Sequence, residues 1–239
     1  MPLVPLQATR PSRVSLLTGL ARAYLCAMPD RKSETERIRL IYDRNAGRGS
    51  SAPPSGNGAV RWLCSQAEGD TLEIGIGRGR TLPFYPGHVR LTAIELSGAS
   101  LAIAAKRARD LGLGISLLEG DAAALPYPDE HFDTVVFCMV LCTIPDDRAA
   151  VAEAARVLRP GGRLLLLEHV RSPNPLLRSL ERLFDPISVR RMGDHLVREP
   201  LVHVLAAGLD VEFLQRGWFG VEERLIARKP ESNELAEAV

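Results

Sequence analysis

The stretch Leu72–Arg80, LEIGIGRGR, sets Glu73 two residues ahead of glycines at alternate positions, Gly75, Gly77 and Gly79. Glycines so spaced permit backbone angles that other residues avoid and let a ligand approach the main chain. A dinucleotide fingerprint, G-x-G-x-x-G, would have its third glycine at position 80, where a helix packs beneath a pyrophosphate; Arg80 stands there instead. Glu73 argues the same way, because a carboxylate beside the bound group repels diphosphate and suits a ligand carrying an ammonium and a sulfonium. Two more acids follow at strand ends. Glu95 closes LTAIE, where a carboxylate accepts from both hydroxyls of a ribose, which supports a nucleoside without choosing between a dinucleotide and a sulfonium ligand, and Asp121 opens DAAALPYPDE, placed to accept from an adenine amino group.

Candidates for proton transfer are His169, just after Glu168, and His195 in GDHLVREP, with Asp194 or Glu168 able to orient one of them. Met139, Leu141 and Cys142 would form an apolar, sulfur-rich wall that suits a hydrophobic planar acceptor. No Asn/Asp-Pro-Pro-aromatic clamp for a nucleic-acid base follows the fourth strand, which runs into Cys138-Met139-Val140-Leu141-Cys142. Asp146 and Asp147 read as a helix cap rather than metal ligands, so no metal site is expected. Cys138 and Cys142 read as packing residues rather than a redox pair.

The elements that must position these residues alternate. Apolar strands are expected at 71–75, 90–96, 114–120, 132–139 and 162–170, with amphipathic helices at 98–111 and 147–158 between them. That alternation predicts a parallel sheet covered on both faces. Near the end, DVEFLQRGW and GVEERLIARK flank a turn at Phe219-Gly220 and should be antiparallel neighbours at one edge. Helices are also expected at 33–46, capped by Ser33 with Glu36 three positions on, and from 59 to 67. Residues 1–58 are assigned to an N-terminal helical lid ending in the connector GRGSSAPPSGNG (47–58), 59–230 to the main domain, and 231–239 to a disordered tail. Within the main domain, 172–200 is an insertion expected to cover the acceptor. Its Leu176, Leu180, Leu183, Phe184 and Ile187 share one helical face, and Glu181 and Asp185 dilute the basic character that a membrane-surface helix would need.

The bulk composition excludes more than it assigns. The 239 residues carry a formal net charge of +1, which provides no field for a polyanion, and no nucleic-acid partner is expected. Four cysteines without Cys-x-x-Cys spacing fit a reducing cytoplasm. No stretch is apolar enough to span a bilayer. Leu16, Leu17, Leu20, Tyr24 and Leu25 recur at helical spacing after Arg10 and Arg13, so this start reads as a docking helix rather than a secretory leader, and a homodimer through it is plausible. Lysine occurs only at 32, 106 and 229, an arginine-rich usage compatible with specialised metabolism.

Taken together, E-x-G-x-G-x-G at 73–79, Glu95, GDAAALPYPDEHFDTVV at 120–136 and LRPGGRLLLLEHV at 158–170 resemble class I S-adenosylmethionine-dependent methyltransferases. The similarity is greatest to the group of quinone C-methyltransferases and bacterial phosphatidylethanolamine N-methyltransferases. The resemblance implies a Rossmann-like α/β fold, a seven-stranded sheet with an antiparallel last strand, and S-adenosylmethionine as cofactor. It implies cofactor contacts at Glu73, Gly75, Gly77, Glu95, Leu96, Asp121, Ala122 and Cys138, with Gly79 completing the loop and Tyr42, in YDRNA, covering the methionine end. The expected activity is methyl transfer to a small hydrophobic, indole- or quinone-like acceptor, at carbon ahead of nitrogen. An NAD-dependent reductase, opposed by Glu73 and Arg80, and a cofactor-binding protein without turnover are the alternatives.

Overall fold

The computed structural model describes residues 31–48 and 56–231. The expected docking helix around Leu16–Leu25, the dimer contact assigned to it, most of the 47–58 connector and the 232–239 part of the tail lie outside the described residues.

Seven strands form one sheet in the order β3-β2-β1-β4-β5-β7-β6. They are β1 (Asp70–Ile74), β2 (Arg90–Glu95), β3 (Ser116–Glu119), β4 (Phe132–Cys138), β5 (Leu158–His169), β6 (Asp210–Gly217) and β7 (Glu222–Arg228). The first five pair in parallel, while β7 runs antiparallel to both its neighbours, β5 and β6. This is the Rossmann-like arrangement with an antiparallel last strand. Strand order reverses between β1 and β4, the place where an open sheet of this kind leaves a crevice.

Side-chain alternation assigns the two faces. On β4 and β5, Val135, Phe137, Leu164 and Leu166 join one core with helix α4 (Asp147–Val157) and Val204 of α6 (Pro200–Ala206). Val136, Leu165 and Leu167 point the other way, against Val60 and Leu63 of α2 (Gly56–Ser65). Helix α3 (Gly98–Asp110) packs Ala104 and Ala108 over Leu91 and Ala93 on that same side. Small alanines there let the helix backbone come close to the sheet.

Several boundaries differ from expectation, among them β3, two residues shorter at its start than the expected 114–120. Helix α1 (Arg31–Asn45) extends back to Arg31, so Ser33 sits in its first turn rather than at its cap, and Glu36 pairs with Arg39 instead of closing a capping box. The expected connector gives up Gly56 onward to α2. Strand β5 begins at Leu158, absorbing the Leu-Arg-Pro-Gly-Gly turn; its pairing with β4 skips from Leu158 to Arg163 around Gly161, whose φ is 74°.

Candidate active site

The loops after β1, β2, β3 and β4 open into one crevice at the carboxyl edge of the sheet, lined by Glu73, Gly75, Gly77, Arg80, Glu95, Leu96, Asp121, Ala122 and Cys138, with Tyr42 over them. Gly77 has φ 56°, and a Cβ there would meet no atom within 4 Å, so the loop presents bare backbone to open space. Gly79 serves differently. Its φ is 72°, it does not line the crevice, and a Cβ would come 2.7 Å from Leu82 Cδ1 and 3.3 Å from Ala104 Cα. That third glycine admits the close approach of α3 rather than a ligand.

Glu73 is buried with Oε2 accepting from the Thr81 hydroxyl at 2.8 Å and the Tyr85 hydroxyl at 3.1 Å. Burial pushes its pKa up to about 7, against the lowering effect of those two donors. Glu95 accepts from Gly77 N at 2.8 Å through one oxygen and from Ser97 N at 2.9 Å through the other. Burial raises its pKa too, and the backbone donors oppose that. Asp121 holds Ala123 N at 2.9 Å and pairs with Arg31 of α1 at 3.2 Å. Arg78 and Arg80 bring positive charge to the crevice, and the pKa of Arg80 is lowered by burial and then by Arg78.

Helix α1 roofs this space with Ile38 and Tyr42 and is fastened on several sides. Asp43 Oδ1 accepts from Ser97 Oγ at 2.7 Å and Ala99 N at 3.2 Å, at the N-terminus of α3. Arg78 Nη1 donates to the carbonyls of Ala46 and Arg48 at 3.1 and 2.6 Å. Tyr42 donates its hydroxyl to Asp194 Oδ1 at 3.4 Å, and burial raises the pKa of both groups.

The fourth wall is turned by Met139 at φ 55° and held by Glu168, whose Oε1 accepts from Val140 N at 2.8 Å and Leu141 N at 3.0 Å. Glu168 Oε2 has no protein partner, and burial lifts this carboxyl to about 8. Of the expected apolar wall only Met139 faces the crevice. Leu141 and Cys142 are buried behind it because the turn directs them into the core, where burial pushes the Cys142 thiol up. Ile144 and Pro145 take their place. Asp146 caps α4 by accepting from Ala149 N at 2.9 Å.

The expected acid–base set is dispersed. None of the described histidines lines the crevice. His195 uses its backbone N–H on the Cys142 carbonyl, and its imidazole has Asp185 3.9 Å away rather than Asp194, which Tyr42 occupies. His169 opens onto a separate trough beside Glu181. Burial lowers the pKa of both histidines. The expected cover is displaced as well: α5 (Pro175–Met192), the helix of the insertion, lines that trough and not the crevice, and it meets α1 through the Val189 carbonyl, which accepts from Arg37 Nη1 at 3.1 Å, and through the following Gly193–Asp194 turn. Thr81, Tyr85, Asp43 and Arg31 escaped the sequence reading. Asp43 had a signal, the Tyr-Asp pair in YDRNA, whereas the others act through contacts no local pattern announces.

A methyltransferase-domain family profile matches residues 72–166, the span from β1 through most of β5. The phosphatidylethanolamine N-methyltransferase of Cereibacter sphaeroides is 35% identical over 150 residues, covering 62% of this chain and 72% of that protein. The chain belongs to the class I S-adenosylmethionine-dependent methyltransferases. The ubiquinone/menaquinone biosynthesis C-methyltransferase UbiE of Shewanella halifaxensis is 30% identical over 112 residues, 46% of this methyltransferase and 45% of that one, so the match spans less than half of the quinone enzyme. The YcgJ protein of Bacillus subtilis has the same fold, with a TM-score of 0.57 at 21% identity over 72% of this chain and 97% of its own. S-adenosylmethionine is accordingly the cofactor, which sets the NAD-dependent reductase aside. The crevice fits it: bare backbone at Gly77 and the buried Glu95 at the end of β2 suit a nucleoside, and the buried Glu73 at the end of β1 suits a cationic tail and disfavours a diphosphate.

Proposed function

We propose that this methyltransferase acts on a small, mostly apolar acceptor, an indole- or quinone-like ring, at carbon ahead of nitrogen. The observation that carries the reading is the composition of the crevice away from its acids. Ile38, Met139, Val140, Ile144 and Pro145 offer apolar surface, and Tyr42 and Thr143 bring the polar groups there.

When bound, S-adenosylmethionine supplies an electrophilic methyl group on a sulfonium. The chain's own residues then have three tasks. Glu73 holds negative charge near the ammonium and sulfonium, while Arg80 brings the positive charge an amino-acid carboxylate needs. Glu95 and Asp121 accept from the sugar and base, with Gly75, Gly77, Leu96, Ala122 and Cys138 shaping the bed. Tyr42, held by Asp194, closes the reacting end against water. Alignment of this kind supplies up to ~7–11 kcal/mol of barrier reduction without a proton-transfer group. With no described histidine on the crevice, the acceptor that fits is one nucleophilic without prior deprotonation, such as the ring carbon of an indole or a quinol, or a neutral amine; the sulfur–methyl bond breaks as the new bond forms, and the cationic product then loses its proton to water. Asp194 is therefore a positioning residue acting through Tyr42, and His169 and His195 are left outside the chemistry.

A second reading, N-methylation of a phospholipid headgroup, is favoured by the 35% identity to the phosphatidylethanolamine enzyme. Turnover with labelled S-adenosylmethionine on quinols, indoles and phosphatidylethanolamine vesicles separates the two, and mass spectrometry of the product locates the added methylene. Binding of S-adenosylmethionine without turnover on any acceptor, in extracts as well as on the panel, supports a cofactor-binding protein instead. Asp194→Asn tests the positioning role: kcat drops roughly three- to tenfold with cofactor affinity kept, and an unchanged kcat removes Asp194.

A further inference from the structure

Helix α5 presents its apolar face outward. Leu176, Leu183, Phe184 and Ile187 are 71%, 67%, 53% and 51% exposed, and Phe219, in the turn between β6 and β7, is 84% exposed beside them. Leu177, Leu180, Phe184, Leu196, Phe219 and Val221 join across an open apolar trough, so the helix and the turn form one continuous surface. A contiguous apolar patch of this kind on a water-soluble surface marks a place meant to be covered.

Charge identifies the cover. The two acids of α5 are turned toward the protein, where Glu181 accepts from Ser172 N at 2.9 Å and Asp185 from Leu196 N at 2.6 Å. Asp185 lies on the side of the helix opposite the apolar stripe, and Glu181, which borders the trough, has both its oxygens on the Ser172 amide. Arg190 and Arg191 lie at the helical angles of Leu176, Leu183 and Ile187, extending the apolar stripe into an exposed basic end, and Arg182 is exposed at its flank. An apolar stripe with arginines around it and its acids withdrawn is complementary to a layer with an apolar interior and anionic headgroups. No helix among the described residues is long and apolar enough to cross a membrane.

We propose that the outer face of α5, together with Phe219, docks this methyltransferase on the surface of an anionic lipid bilayer. The inference goes beyond the proposed reaction and holds whichever acceptor is used.

The test is flotation of the full chain with vesicles of phosphatidylcholine alone or with about one third phosphatidylglycerol. The expected result is co-flotation with the anionic vesicles that weakens as salt rises. Leu183→Glu should lower the bound fraction at least about tenfold, and the double variant Arg190→Glu/Arg191→Glu should abolish the preference for anionic lipid. Both variants should keep the wild-type melting temperature and S-adenosylmethionine affinity, since none of the three residues touches the crevice. Absence of binding to anionic vesicles, or equal binding by Leu183→Glu, overturns the proposal. A dimer in sedimentation that Leu183→Glu dissolves, with no vesicle binding, reassigns the face to contact between two copies of the chain.

Discussion

The crevice rim and helix α5 use carboxylates for the same local purpose and obtain opposite surfaces. At the rim, Glu95 and Glu168 hold backbone amides of the loops, and Glu95 and Glu73 still line the ligand space. On α5, Glu181 and Asp185 also hold backbone amides, Asp185 from the inner side of the helix and Glu181 from the border of the trough, leaving arginine and leucine outside. The direction in which an acid is spent, rather than the number of acids, decides whether a surface receives a cation or an anion.

The sharpest way to break that contrast is at Glu95. Glu95→Ala removes the acceptor of two backbone amides as well as the sugar contact, and calorimetry should show S-adenosylmethionine binding at least ~100-fold weaker. A loss below about threefold would mean that the acid serves only the loop.

Glu73 should make cofactor binding depend on pH. Its carboxyl is lifted to about 7, and a cationic ligand favours the ionised form, so affinity rises as pH climbs through 7 and falls by up to about tenfold between pH 8 and 6. Glu73→Gln should flatten the profile relative to wild type, as titration calorimetry across this window can read.

Glu168 shifts stability instead. Its folded-state pKa, about 8, lies above the ordinary 4.5, so the protonated form's contribution is complete below 4.5 and is lost as pH rises through 8. Chemical unfolding of wild type should therefore weaken across that window by on the order of 1–2 kcal/mol or more. Glu168→Gln, which keeps an oxygen for Val140 and Leu141, should flatten this slope and be the more stable protein at pH 8. Glu73 contributes with the same sign in the absence of cofactor, so some slope remains.

The smallest effect belongs to α5. Glu181→Ala leaves the buried Ser172 amide without its partner and should cost about 1 kcal/mol, with faster hydrogen exchange at Ser172 and an unaltered crevice. Weakened cofactor binding in this variant would show that the two regions are coupled.

Much of the crevice was legible because its residues lie at strand ends. A run such as TLEIG announces both the strand and what leaves it, and the sheet then gathers Glu73, Glu95 and Asp121 at one edge. Periodicity likewise placed Leu176, Leu180, Leu183, Phe184 and Ile187 on one side of a helix. It did not say which side the rest of the molecule would take. That was settled by Glu181 and Asp185 finding amides at Ser172 and Leu196, residues outside the helix on either side of it. The partners of the histidines were hidden for a related reason: proximity in sequence to Asp194 or Glu168 says nothing about which neighbour the imidazole meets, and His195 has Asp185 beside it.

The antiparallel last strand also has a practical bearing. Because β7 runs against β5, the chain leaves the sheet at Lys229, where its ammonium and amide meet the Leu158 and Gly162 carbonyls at the amino end of β5. A tether or reporter fused beyond that point departs from the rim opposite the glycine loop, which leaves the enzyme free to be immobilised there with its mouth unobstructed.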